Sequence, residues 1–275
     1  MANYTAADVK ALRDKSGAGM MDCKGALDEA DGDIEKAFEV LRLKGLKGVS
    51  KREGRTTTNG LVVARVAGGK GTLIELACET DFVAKAENFV ALAEEVADAV
   101  VASGASDVES APAASHGGGT VADAITDKAA IMGEKVELRR VAVVEASGVD
   151  AYLHRTSRDL PPQVGVLLGY EGSDSDTAHD IAVHIAAFSP QYLTRDDVPA
   201  EVVAKEREIA EATARDEGKP EAALPKIVEG RVNGFFKETC LFDQDFAKDN
   251  KQSVGKVAEA AGLKLTGFVR FRVGV

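Results

Sequence analysis

The sequence has no tryptophan, only four tyrosines and three cysteines, and no long apolar run. Without tryptophan and with so few tyrosines, it lacks the aromatic platform on which nucleic-acid bases usually stack. Its apolar runs are shorter than the roughly 18 residues that a membrane-spanning helix needs, so we expect no contact with membranes. The first ten residues lack the apolar centre of a secretory signal, which predicts a cytoplasmic protein.

Residues that usually carry chemistry are scarce and scattered. The three cysteines are Cys23, Cys78 and Cys240; they form no C-x-x-C pair and are expected to be reduced core thiols. Among the four histidines, His179 and His184 are five residues apart, which does not place them on one helix face. The run from Gly68 to Thr72 lacks the residue order of a phosphate-binding loop. We therefore predict no catalytic residue, no cofactor and no metal site.

The net charge of −11 argues against direct binding of nucleic acid by the chain as a whole. Residues 42–55 are an exception, because six basic side chains there accompany Glu53 alone. This glycine-containing stretch is interpreted as a basic, solvated linker. The alternative is an RNA- or ribosome-binding translation protein that uses residues 42–55.

Hydrophobic periodicity predicts three short helices within residues 1–44. Thr5 and Asp8 resemble a helix start, and Ser16–Gly19 should break the chain before a second helix from Met20 to Ala30. A third helix is expected from Asp33 to Leu43. Residues 1–55 would then be a small docking domain plus the basic linker, since such a bundle is seldom an enzyme.

The remaining chain alternates strand-like and helix-like patterns. Two such blocks, residues 56–140 and 141–275, predict an α+β core of two subdomains with antiparallel sheets. Residues 136–145 and 149–156 are expected to pair as strands, and residues 103–119 to form a flexible loop. Residues 198–239 predict a protruding helical, coiled-coil hairpin, a candidate surface for self-association.

The segment Thr80–Val83 follows a predicted strand and precedes a predicted helix. One interpretation is that Thr80 or Asp81 begins a helix and that Phe82 packs inward. The other is that Asp81 and Phe82 form a protruding probe, with an aromatic anchor beside a charge. The pattern alone does not decide between the two.

Six groups of residues, in this order along the chain, resemble the bacterial elongation factor Ts family. They are Ala11–Arg13 with Gly17–Lys24 and Ala26–Leu27; Cys78–Lys85; Gly133–Glu134 with Arg139–Arg140; His184–Ala187 through Pro190; Gly218–Pro220 with Lys226–Arg231; and Thr266–Phe271. The resemblance extends over nearly the whole chain. It implies that the N-terminal bundle is a ubiquitin-associated-like domain and that the protein is not an enzyme.

The resemblance also implies a guanine-nucleotide exchange factor whose partner is elongation factor Tu. By the family's pattern, Arg13, Met20 and Met21 would contact the GTPase's nucleotide domain. Thr80, Asp81, Phe82 and Val83 would enter beside its magnesium site and promote release of Mg²⁺ and GDP, and His184 would contact another of its helices. The family's further C-terminal helix has no counterpart before Val275, so its contact is not carried over. Asp245 stands where the family commonly has proline.

Overall fold

The computed structural model describes residues 3–16 and 18–275, and for Leu46, Lys47 and Ser50 only the backbone. Gly17, part of the first sequence motif, lies outside the described residues. The helices are α1 (Ala6–Ser16), α2 (Met20–Glu29), α3 (Ile34–Arg52), α4 (Asp81–Ala84), α5 (Glu87–Ser103), α6 (Val121–Met132), α7 (Ser175–Phe188), α8 (Ala200–Asp216), α9 (Leu224–Thr239) and α10 (Val254–Ala260). The strands are β1 (Asn59–Ala67), β2 (Lys70–Cys78), β3 (Ser115–His116), β4 (Gly119–Thr120), β5 (Val136–Glu145), β6 (Gly148–His154), β7 (Val164–Glu171), β8 (Asp245–Phe246), β9 (Asp249–Ser253) and β10 (Lys264–Arg272).

Two antiparallel three-stranded sheets form the core, in the orders β1-β2-β5 and β10-β7-β6. Side chains alternate between the faces of each strand. Val62 and Leu73 of the first sheet therefore meet Leu167 and Phe271 of the second. The opposite face of the first sheet packs on α5 and α6 through residues such as Leu76 and Phe89, and that of the second packs on α7 and α10. The fold is thus two sheets enclosed between two layers of helices.

The N-terminal bundle has a core of its own. Leu12 of α1, Cys23 and Leu27 of α2 and Ala37 of α3 are fully buried against one another. The side chain of Asp33 begins α3 by accepting hydrogen bonds from the N–H groups of Glu35 and Lys36, each at 3.0 Å. The structure confirms the predicted fold class, which combines helices, antiparallel sheets and a helical N-terminal segment.

Helix α3 is longer than the sequence pattern indicates. It continues through the expected basic linker to Arg52, although Gly45 and Gly48 would each weaken a helix interior by about 1 kcal/mol. A Cβ atom added at Gly45 would overlap the carbonyl group of Ala130. The glycine thus permits close packing of α3 on α6, and most of the expected linker is instead the last part of α3.

Strand β5 corrects the expected pairing. It pairs with β2 of the first sheet as far as Glu145, whereas β6 pairs with β7 of the second sheet. The predicted subdomain boundary between residues 140 and 141 therefore falls inside β5, and the chain crosses between the sheets at Ala146–Ser147. Residues 103–119 are also more ordered than expected, because they contain a 3₁₀ helix with the fully buried Ala111, the strand β3 and the first residue of its partner β4.

Helices α8 and α9 form the predicted antiparallel pair. Ala210 of α8 packs with Val228 and Val232 of α9, and Arg231 lies 2.7 Å from Glu217 near the tip. Ile209 of α8 is 47% exposed, because the small Ala210 and Ala214 face α9 instead. Across the described ranges, no helix is both long enough and apolar enough to cross a bilayer.

Candidate partner-binding site

The segment Thr80–Val83 forms a single helical turn at the end of strand β2. The hydroxyl of Thr80 caps α4 by accepting a hydrogen bond from the N–H of Val83 at 3.4 Å. Ala84 is fully buried, and Val83 packs against the core of the first sheet and its helices. The turn is therefore anchored at its inner side, which leaves Asp81 and Phe82 on the outside.

The ring of Phe82 is the exposed aromatic group of this turn. Phe82 is 74% exposed, and Asp81 beside it is also exposed. The Lys85 ammonium lies 4.6 Å from the centre of the Phe82 ring and 3.5 Å from the Asp81 carboxylate. Thr80 thus begins a helix as one interpretation of the sequence expects, while Phe82 projects outward as the other expects.

The carboxylate of Glu134, at the start of the connection from α6 to β5, accepts hydrogen bonds from the residues at the beginning of this turn. One carboxylate oxygen, Oε2, accepts hydrogen bonds from the N–H groups of Glu79 and Thr80 at 3.1 and 3.0 Å. The other, Oε1, accepts from the hydroxyl of Thr80. Hydrogen bonds to a carboxylate are stronger than those between neutral groups. The backbone that leads into α4 is therefore fixed before any partner arrives.

The buried thiol of Cys78 adds a further contact. Burial, and then the nearby Glu134 carboxylate, raise the pKa of Cys78 to about 12. The thiol therefore keeps its proton at neutral pH and donates a hydrogen bond to the carbonyl of Thr80 at 3.3 Å. Cys78 is thus a reduced core thiol that supports the turn.

Arg13, Met20 and Met21 are all exposed on the N-terminal bundle. Met20 and Met21 are 54% and 76% exposed, although adjacent positions on a helix often include one that faces inward. Met21 lines a cleft of about 280 Å³ between α2 and the end of α6, whose far side includes Gly133. Glu134, which follows Gly133, accepts hydrogen bonds from Thr80. The end of α6 therefore connects the exposed surface at Met21 with the Thr80–Val83 turn.

His184 has a different position from the other predicted contact residues. It is fully buried on α7, and burial lowers its pKa. Its Nδ1 accepts a hydrogen bond from the N–H of Ala247 at 3.2 Å, so Nε2 carries the proton and donates to Gln244 Oε1 at 2.9 Å. Phe188, which is half exposed, stacks on the ring with the centres 4.5 Å apart. At this position, Phe188 is therefore the side chain that solvent or a partner can reach.

Comparison with known proteins identifies the family. A family model described as "Elongation factor TS" matches residues 79–275, which is most of the chain. Curated proteins named "Elongation factor Ts" are similar over their full length and that of this chain: 64% identical in Micrococcus luteus, 63% in Clavibacter michiganensis subsp. michiganensis and 60% in Arthrobacter sp. strain FB24. The chain belongs to the elongation factor Ts family.

The roles of three residues within the elongation factor Ts motifs become evident only in the structure. Glu134 lies 54 residues from Thr80 in sequence, so the pattern cannot show that it fixes the turn. Lys85 follows Phe82 by three residues, a spacing that brings side chains together only if the turn is helical. Phe188 follows His184 by four residues on α7, and this helical spacing is the one signal that could indicate their stacking.

Proposed function

We propose that this chain accelerates the release of GDP from elongation factor Tu during translation elongation. The observation that supports the proposal is the exposed pair Asp81–Phe82 on a turn that the core holds rigidly. An aromatic side chain that is mostly exposed is unfavourable in water, and such groups are often anchors at interfaces. The carboxylate beside it supplies a charge that can act on a cation in the partner.

The mechanism follows from how a GTPase holds its nucleotide. Backbone N–H groups and Mg²⁺ neutralise the phosphates of GDP. Insertion of Phe82 and Asp81 near the magnesium site displaces the structure that coordinates the metal. Because the metal is the largest local positive charge beside the phosphates, its loss weakens their binding and GDP leaves faster. GTP can then bind to the emptied site.

This role requires no bond to be made or broken on the chain, so it needs no nucleophile, general base or cofactor. It requires surfaces that bind the GTPase in addition to the Thr80–Val83 turn. Arg13, Met20 and Met21 supply one surface, since methionine side chains adapt to varied partners. Phe188, supported by His184, supplies another on the second sheet's helical layer. The Thr80–Val83 turn, which is anchored on the core, supplies the surface that acts near the magnesium site.

The alternative of RNA binding through residues 42–55 finds less support. Arg42 pairs with Asp127 at 2.8 Å, Arg55 pairs with Glu79 at 3.2 Å, and Lys44 pairs with Glu29. These cations therefore already have carboxylate partners within the fold. A free basic surface for phosphates would need them to be available.

The deciding experiment measures release of a fluorescent GDP analogue from preloaded elongation factor Tu by stopped flow. We expect the wild-type chain to accelerate release, and the double variant Asp81→Ala/Phe82→Ala to accelerate it at least about tenfold less, as for other interface anchors. In EDTA, which removes Mg²⁺, the difference between the two proteins should shrink. An undiminished difference in EDTA would show that the pair does not act through the metal.

Stability measurements separate a lost contact from a damaged fold. The double variant should change the free energy of unfolding by less than about 0.5 kcal/mol, because both side chains are exposed. Phe89→Ala is the matched control, since Phe89 is fully buried and its truncation should cost about 3–5 kcal/mol. Absence of any effect of the wild-type chain on GDP release would refute the proposed function itself.

A further inference from the structure

In the second sheet, two adjacent rows of cross-strand neighbours each contain one arginine and one other polar side chain. Across β10, β7 and β6, one row contains Arg270, Val166 and Tyr152, and the next contains Arg272, Val164 and His154. Residues two apart on a strand share a face, so both rows lie on the same face of the sheet. Arg270 donates hydrogen bonds to the carbonyl of Ala186 on α7 at 3.1 and 3.3 Å, which shows that this is the face that α7 covers.

Helix α7 covers the first row but ends before the second. It stops at Phe188, and Ser189 takes a left-handed backbone conformation with φ of 53° that turns the chain away. The result is a groove of about 290 Å³ between the end of α7 and the end of the sheet. Its floor is the buried Val164, and its walls include Arg270, Arg272 and His154.

Among the described residues that line this groove, none is a carboxylate that could balance its positive charge. Among the residues that the structure describes, neither Arg270 nor Arg272 has a carboxylate partner within 4.0 Å. Arg270 binds only a neutral carbonyl group, and Arg272 is exposed. Burial, and then the like charges of Arg272 and Arg140, lower the pKa of Arg270 from its usual value. In a chain of net charge −11, two cations without counter-ions favour a negative group from outside.

We propose that this groove receives an aspartate or glutamate side chain of elongation factor Tu. The inference depends on the proposed function, because it names a further contact with the same partner. Two arginines side by side can bind a carboxylate through paired N–H donors. Phe188 ends the helix that borders the groove, so the groove continues the surface already proposed for the GTPase.

The test compares two charge reversals of exposed cations. Arg272→Glu changes the groove, whereas Lys256→Glu makes the same change on α10, beside a different groove. Calorimetry with elongation factor Tu bound to GDP should show a dissociation constant raised about tenfold for Arg272→Glu at low salt, and less than about twofold for Lys256→Glu. The tenfold difference should diminish as salt screens the charges. Equal dissociation constants for the two variants would overturn the proposal.

Further measurements separate the possible failures. At saturating concentration, Arg272→Glu should still accelerate GDP release to the wild-type rate, because Asp81 and Phe82 are intact. If the wild-type chain does not accelerate release, the proposed function fails; if it does but Arg272→Glu binds like the control, only the groove proposal fails.

Inorganic phosphate, added at constant ionic strength, should weaken the complex no more than chloride does. Saturable phosphate binding that Arg272→Gln abolishes would assign the groove to a phosphoryl group and overturn the proposal.

Discussion

Glu134 holds Thr80 at two points, through the backbone N–H at 3.0 Å and through the side-chain hydroxyl. The two residues belong to different elements, since Thr80 follows β2 and Glu134 follows α6. Because Cys78 of β2 pairs with Val136 of β5, the two residues lie at the same end of adjacent strands, and their contact fixes the start of α4 there. An exposed binding group that is held rigidly loses less conformational freedom on binding, which increases affinity.

We first predict that Glu134→Ala weakens exchange without removing Asp81 or Phe82. Loss of the carboxylate leaves two N–H groups and a hydroxyl without their partner, so unfolding should become easier by about 1–3 kcal/mol. GDP release at a subsaturating concentration should slow several-fold, and amide hydrogen exchange should rise at Glu79 and Thr80. Glu134→Gln, which keeps one acceptor oxygen, should recover part of both effects, and Glu109→Ala should have neither. Unchanged protection of these two amides in Glu134→Ala would contradict the prediction.

A second prediction concerns the N-terminal bundle. The Met20→Ala/Met21→Ala variant should bind elongation factor Tu more weakly while its melting temperature stays within a few degrees of wild type, because both side chains are exposed. Leu12→Ala is the contrast, since Leu12 is fully buried in the same bundle and its truncation should cost about 2–5 kcal/mol. Calorimetry and thermal unfolding measure the two quantities separately. Wild-type affinity in the double methionine variant would exclude this surface from the interface.

The sequence could predict a residue's role where that role depends on residues close to it in the chain. The three N-terminal helices and the pair α8–α9 follow from periodicity and turn residues close in sequence, so the pattern contained them. The pattern does not show the buried face of α8, since Ala210 is small and its burial arises from contact with α9 rather than from its own hydrophobicity. The continuation of α3 depends on Gly45, whose packing partner Ala130 is 85 residues away.

The candidate site likewise combines features that depend on nearby residues with contacts to residues far away in sequence. A helix that begins at Thr80, and Asp81 and Phe82 that project outward, could each be proposed from their place between a strand and a helix. The support from Glu134 could not, because Glu134 lies 54 residues from Thr80 in sequence. His184 is the reverse case: a polar residue on a helix suggests exposure, yet Gln244 and Ala247 satisfy both ring nitrogens in the interior. Sequence patterns do not reveal such pairs 60 or more residues apart.

A third prediction concerns pH. Burial alone would raise the pKa of Glu137, but hydrogen bonds from Lys135, Thr57 and Arg139 outweigh it and lower that pKa to about 2. The folded-state pKa is below the unfolded value of about 4.3, so the stabilisation is complete above the unfolded value and is lost as pH falls toward 2. Urea unfolding of wild type and Glu137→Gln should therefore differ at pH 7, and the difference should decrease between about pH 4.5 and pH 2. A difference that is constant over this range would contradict the assignment.

The final prediction concerns the helical hairpin. Its own core is small, with Ala210, Val228 and Val232 at the centre, and its tip is held by the exposed pair between Glu217 and Arg231. Such exposed pairs contribute at most about 1 kcal/mol. Replacing Glu217–Pro225 with a short glycine-containing turn should therefore leave the sheets folded and GDP release largely intact, since no exchange residue proposed above lies on α8 or α9. Sedimentation of the same variant tests the expectation of self-association through the hairpin, which should be reduced. If a folded variant loses most of its exchange activity, the hairpin takes part in nucleotide release and the assignment of exchange to the Thr80–Val83 turn is incomplete.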